Sequence, residues 1–118
     1  MNEQKFRKLD VWNKSMDFIE EIYKTTVIFP EKERYGLTQQ IRRAATSIAL
    51  NIAEGSGAGS DNEFNRFLNI SLRSSYEVMC AVEIAARLKY CTNTEKDRLL
   101  QRCEQISAMI SGLKKKLK

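Results

Sequence analysis

Two sets of side chains in this sequence have the polarity and spacing to do chemistry. In the segment from Gln40 to Gly55, residues Gln40, Arg43, Ser47, Asn51 and Glu54 step by three or four positions. That interval lines side chains along one side of a helix. A second series, Asn62, Arg66, Asn69, Arg73 and Glu77, follows the same rhythm. An ordinary solvated helix face carries lysine and glutamate, whereas these stripes combine amides, guanidinium groups, hydroxyls and carboxylates. If the two segments lie antiparallel, Glu54 falls near Arg66, and Arg43 near Glu77. A guanidinium presents a planar fork that holds a carboxylate with two hydrogen bonds, so two cross-helix ion pairs are expected along one groove.

Three kinds of chemistry compete for this groove. The first, which the sequence favours, is a structural network within the fold or between subunits. The second is a surface for RNA or DNA, with arginines on phosphates and the amides on bases or sugars. The third is catalysis, and the residues speak against it. The groove offers no histidine, no cysteine and no clustered carboxylates from which to build an acid, a base or a nucleophile. No catalytic residue is therefore assigned and an enzyme is not expected.

A basic tip, Lys114, Lys115, Lys116 and Lys118, closes the chain. It can attract phosphate, and it is also the normal complement to the partial negative charge at a helix C-terminus. The net charge is +5, concentrated at the two ends. Cys80, Cys91 and Cys103 are odd in number, lack CxxC spacing and have no histidine beside them. No metal site and no cofactor are expected, and Cys80 and Cys103 read as buried small hydrophobes in a reducing compartment. The polar N-terminus is no signal peptide, and no apolar run approaches the ~20 residues that span a bilayer. A cytoplasmic protein without membrane contact follows.

The elements that must position these side chains are helices. The first spans roughly Asp10–Ile28, with Val11, Trp12, Met16, Ile19, Ile22, Tyr23, Thr26 and Val27 facing inward. It ends at Phe29-Pro30, because the residue before proline is pushed from the helical region. Thr38 is the expected N-cap of the second helix, which runs to about Glu54 with Ile41, Ala44, Ala45, Ile48, Ala49 and Ile52 as its apolar stripe. The glycine-rich run from Gly55 to Ser60 follows a helix rather than a strand and lacks the Lys-Ser/Thr of a nucleotide loop, so it reads as a turn. Ser60 and Glu63 form the pattern of a capping box. The third helix covers about Asp61–Lys89, with its inward stripe running from Phe64 and Leu68 through Ser71, Ser75, Val78 and Val82 to Ala85. Thr94 is the expected cap of the fourth, about Glu95–Leu117, with Leu99, Cys103, Ile106, Ile110 and Leu113 inward. Most aromatics fall on or beside these stripes and read as core, leaving Tyr35, Tyr76 and Tyr90 for the surface.

With 118 residues, one proline and five glycines, the chain forms one domain, residues 1–118, of long helices joined by a few loops. Short connectors make neighbours antiparallel, so the expected fold is all-α, an up-down-up-down antiparallel four-helix bundle. At ~1.5 Å per residue the helices give a rod about 27–44 Å long.

The order of these motifs resembles a known family. Phe6-x-x-Leu9-x-Val11-Trp12, then Phe29-Pro30-x-x-Glu33-x-Tyr35-Gly36-Leu37-x-x-Gln40, continue through Arg43-Ala44, Ser47-Ile48 and Asn51-Ile52-Ala53-Glu54-Gly55. A further block, Glu63-Phe64-x-Arg66-Phe67-Leu68 followed by Ser74-x-x-Glu77, extends the likeness into the third helix. The pattern is similar to that of the small four-helix-bundle proteins encoded in intervening sequences of bacterial 23S ribosomal RNA genes. One departure is Arg73, where that family commonly carries a small residue, often glycine. The resemblance implies a non-enzymatic homo-oligomer. Similar bundles assemble as rings of five, and a related accessory protein of diversity-generating retroelements forms such a ring and associates with its reverse transcriptase and nucleic acid. A homopentamer with RNA or DNA as a candidate partner is the resulting expectation, and a purely structural or protein-interaction scaffold is the alternative.

Overall fold

The computed structural model describes residues 4–117. Four helices follow one another: α1 (Asp10–Thr26), α2 (Leu37–Ser56), α3 (Asp61–Arg87) and α4 (Asn93–Lys116), with 3-10 turns at Lys5–Lys8 and Glu31–Glu33. Each helix packs on two neighbours in the order α1, α2, α3, α4 and back to α1, and the diagonal pairs do not approach closely. This is the expected antiparallel four-helix bundle. Its long dimension of 43 Å is set by α3, whose 27 residues rise about 40 Å.

The core is aliphatic. Ile22, Ile41, Ile48, Ile52, Leu68, Val78, Val82, Leu99, Ile106 and Ile110 are fully or almost fully buried around Phe18. The apolar stripes of α2, α3 and α4 face inward as the sequence periodicity predicts. In α1 the buried face is rotated from the expected one: Val11, Ser15, Phe18, Ile22, Thr25 and Thr26 are buried, while Met16, Tyr23 and Val27 are 41%, 43% and 70% exposed. The hydroxyls explain this. Ser15 Oγ donates to the Val11 carbonyl at 2.7 Å and Thr26 Oγ1 to the Ile22 carbonyl at 2.7 Å, so both enter the interior without an unpaired donor.

Small residues set the spacing of α2 and α3, the most closely packed pair. Ala44, Ala45 and Ala49 of α2 and Ser71, Ser74, Ala81 and Ala85 of α3 are all buried. Ser71 Oγ donates across the interface to the Ile48 carbonyl at 2.8 Å. At the end of α2, a Cβ on Gly55 would sit 2.8 Å from Phe64 Cδ1 and 2.8 Å from Phe67 Cβ, so glycine is required for this approach.

The caps differ in part from expectation. Ser60 Oγ accepts the Glu63 amide at 3.1 Å, but the Glu63 carboxylate binds Arg66 at 3.0 Å instead of returning to the Ser60 amide. The α2 cap is not Thr38, which is buried; Glu33 Oε1, reaching from the preceding turn, accepts the Leu37 amide at 3.0 Å. In α4 the cap is Thr92, two residues before the expected Thr94. Thr92 and Glu95 form a reciprocal capping box in which each side chain binds the other's amide. Finally, α3 closes with Lys89 at φ 64°, and Tyr90 donates its amide to the Ala85 carbonyl at 2.9 Å, a left-handed C-terminal turn.

Candidate functional site

The two polar stripes meet only in part: among the described residues Glu77 is the member of the α3 stripe that lines a groove with α2, while Asn69 meets Lys114 of α4. Gln40, Arg43 and Ser47 of α2 and Ser74 and Glu77 of α3 line one groove of about 520 Å³, with Tyr35, Gly36, Gln39 and Ala44. Its floor is a hydroxyl pair: Ser47 Oγ and Ser74 Oγ are 2.8 Å apart. Asn51 Nδ2 donates to the Ser47 carbonyl at 2.8 Å and to Ser47 Oγ at 3.0 Å, so Asn51 belongs to this network.

The expected ion pairs do not form. Arg66 pairs with Glu63, one turn earlier on its own helix, and lies over the Phe67 ring at 4.7 Å. The neighbouring carboxylate meets Arg66 without crossing the groove, and Glu54 is left exposed. This contact holds the Glu63 carboxyl below its usual range, first through the Arg66 hydrogen bond and then through its charge. Arg43 and Glu77 share the groove but make no ion pair among the described residues. Both are exposed, where the attraction is small against the entropy of fixing two long side chains. Arg73 is also exposed and without an ion pair among the described residues. The cross-helix connection here is made by hydroxyls.

At the other end, Lys114 donates its ammonium to Asn69 Oδ1 on α3. Lys115 and Lys116 are exposed in the last turn of α4, and Lys118 lies outside the described residues. The cysteines divide differently from expectation. Cys103 is buried and its Sγ faces the Ser75 carbonyl at 3.4 Å, while Cys80 is exposed on the outer side of α3. Burial pushes the Cys103 thiol up to about 12, and burial also raises Cys91. Among the described residues no group of histidine, cysteine or carboxylate side chains could hold a metal ion, and no helix is long and apolar enough to cross a membrane.

Sequence reasoning missed two features. Tyr90 Oη donates to Glu33 Oε2 at 2.9 Å, joining the α1–α2 and α3–α4 connectors across a small cluster of Phe29, Ala85 and Cys91. Arg42 lies over the Tyr23 ring at 4.4 Å and donates its Nε to Thr26 Oγ1 at 2.9 Å. The available signal for the second was an arginine on α2 set off from the polar stripe, on the side that meets α1.

Residues 7–112, nearly the whole bundle and both stripes, match the family described as 23S rRNA-intervening sequence protein. The chain belongs to this family. A solved structure from Bacteroides thetaiotaomicron, described as a protein with unknown function from the S23 ribosomal protein family, has the same fold at a TM-score of 0.80. It is 30% identical, and the match covers 89% of this chain and 98% of that one. No curated protein matches the sequence. Within the intervening-sequence family, then, this member carries Arg73 beside a groove floored by serine hydroxyls.

Proposed function

We propose that this intervening-sequence protein is a non-enzymatic, self-assembling helical module whose outer α2–α3 face is the subunit contact. One observation carries the reading. On α2, Arg43, Leu50 and Glu54 share an outward stripe, and on α3 Arg73, Glu77, Ile84 and Leu88 share another. Leu50, Ile84 and Leu88 are 59%, 44% and 50% exposed, and the four charged side chains beside them have no ion pair among the described residues. Apolar side chains interleaved with unspent charges of both signs suit a face that closes against a second copy of itself. Five subunits is the proposed stoichiometry, by likeness to related ring-forming bundles.

Light scattering after size exclusion tests this. The expected mass is a multiple of 13.6 kDa, and a species of 13.6 kDa at micromolar concentration would overturn the reading.

The proposal extends to nucleic-acid contact through basic surfaces in the cytoplasm, supported by the net charge of +5 and the exposed Lys115 and Lys116. RNA or DNA binding that strengthens as salt falls is the expected result, since released counterions drive such contacts. No binding at low salt leaves the structural scaffold as the function.

A further inference from the structure

A second cluster lies where the C-terminal half of α1 meets the start of α2, adjoining the α2–α3 groove, with which it shares Tyr35, Gln39 and Arg43 along its border. Tyr23, Arg34, Tyr35, Gln39, Arg42 and Thr46 border a groove of about 280 Å³. Tyr35 is 79% exposed and Tyr23 43%, so the Tyr35 ring stands largely in water and the Tyr23 ring is partly covered, with Arg42 over it. Arg42 is held from two sides, by the Tyr23 ring and by Thr26 Oγ1, which fixes its plane and leaves its terminal nitrogens without a partner among the described residues. Arg34 lies 5.4 Å from the centre of the Tyr35 ring. Its contact with Glu31, at 3.5 Å between exposed side chains, competes weakly with any stronger anion. Among the described residues no carboxylate lines this groove, and Glu33, the nearest acidic residue to Tyr35 in sequence, is spent on the Leu37 amide and Tyr90.

We propose that this groove binds single-stranded nucleic acid. The open face of Tyr35 accepts an unstacked base, Arg34 and Arg42 take the flanking phosphates, and the Gln39 amide meets a base edge. Each part has a physical reason. Aromatic rings stack on bases of any sequence, but only where the bases are unpaired, since a duplex hides their faces. Planar guanidinium groups bind phosphate oxygens bidentately, and an arginine already fixed against a ring loses less freedom on binding. An acidic peptide would satisfy the arginines and leave the rings unused.

The inference rests on the nucleic-acid part of the reading above and makes a claim that the basic tip does not. Fluorescence anisotropy with labelled single-stranded RNA, single-stranded DNA and duplex of one sequence, over a salt series, separates them. Tyr35→Ala should weaken single-strand binding by about tenfold, the scale of one stacked base, and leave duplex binding as it was. Tyr35→Phe should restore it. Arg34→Ala should flatten the salt slope by about one. Lys115→Ala with Lys116→Ala should weaken single strand and duplex alike. Binding of either single-stranded RNA or DNA supports the proposal, and ultraviolet cross-links mapped to Tyr23 or Tyr35 support it independently of any variant. If Tyr35→Ala leaves single-strand binding unchanged, or polyglutamate displaces the strand as well as unlabelled strand does, the groove proposal fails while contact through the tip stands. If no oligonucleotide binds at low salt, both fail.

Discussion

Tyr90 Oη and Glu33 Oε2 are 2.9 Å apart although 57 positions separate them in the chain. The same carboxylate caps α2 through the Leu37 amide, so one side chain fixes a helix start and ties two connectors together. The rings of Phe29 and Tyr90, 5.5 Å between centres, pack beside it.

This clasp predicts a pH dependence with a definite sign at each end. The Leu37 amide first, then the Tyr90 hydroxyl, hold the Glu33 carboxyl below its ordinary range, and the Glu33 hydrogen bond raises Tyr90 above its own. The carboxylate's contribution is therefore complete above the unfolded value and fades as pH falls through the lower folded one. The tyrosine's contribution is complete below its unfolded value and fades as pH rises through the higher folded one. Urea midpoints measured across pH should show Glu33→Gln flattening the acid limb and Tyr90→Phe flattening part of the alkaline limb. Parallel curves for wild type and both variants would show that the clasp contributes nothing.

Two glycines should respond to alanine in opposite directions. Gly55→Ala places a methyl group 2.8 Å from Phe64 and Phe67, and the backbone-proximal Phe67 Cβ cannot swing away. A loss of about 1–3 kcal/mol is expected. Gly112 lies within α4 with nothing within 4 Å of an added Cβ, so Gly112→Ala should gain about 0.5–1 kcal/mol of helix stability. Chemical denaturation of the two variants checks both signs.

The cysteines should differ in reactivity. Cys80, exposed, reacts with a thiol reagent in the native state, while Cys103 waits for unfolding because it is buried and its thiol is pushed up to about 12. The unfolded thiol ionises near 9.0, so Cys103 makes the protein lose stability as pH rises from there towards 12. Mass spectrometry of timed labelling reads the first effect. Alkaline denaturation of Cys103→Ala, compared in slope rather than in absolute stability, reads the second.

The outer α2–α3 face predicts a split between assembly and folding. Leu50→Glu should reduce the mass seen by light scattering and leave the melting temperature of the bundle nearly unchanged, because Leu50 is 59% exposed. Arg43→Ala should disturb assembly more than Lys115→Ala. Equal masses for all three variants and wild type would remove this face from consideration.

The architecture was legible because α2, α3 and α4 carry long aliphatic stripes and the single proline and clustered glycines mark the connectors. Hydropathy misplaced part of the buried face of α1, since it counts Ser15 as polar although its hydroxyl is satisfied on its own helix; Thr26, expected inward, is buried in the same way. The cap of α4 was missed by two residues because Thr92 and Thr94 both precede Glu95, and the three-residue interval of a capping box selects Thr92. For the groove, spacing brought the right helices together, but it could not rank partners: Arg66 reaches Glu63 along its helix before it reaches Glu54 across the gap. Contacts such as Tyr90 with Glu33 leave no local trace, as nothing in either segment specifies the other.

The serine contacts on α3 bear on how many arrangements the chain can adopt. Ser71 binds the Ile48 carbonyl, Ser74 meets Ser47, and Ser75 meets Ser107 on α4 at 2.8 Å. Isoleucine, leucine and valine fill an interior almost interchangeably, so an aliphatic bundle alone tolerates helices shifted lengthwise by a turn. A shift of one turn takes each hydroxyl from its partner on the other helix, and the fully buried Ser71 then has no water to replace the Ile48 carbonyl. These three serines make every sliding arrangement of α3 against α2 and α4 costlier than the native one, and so a greasy, repetitive rod has one alignment instead of several.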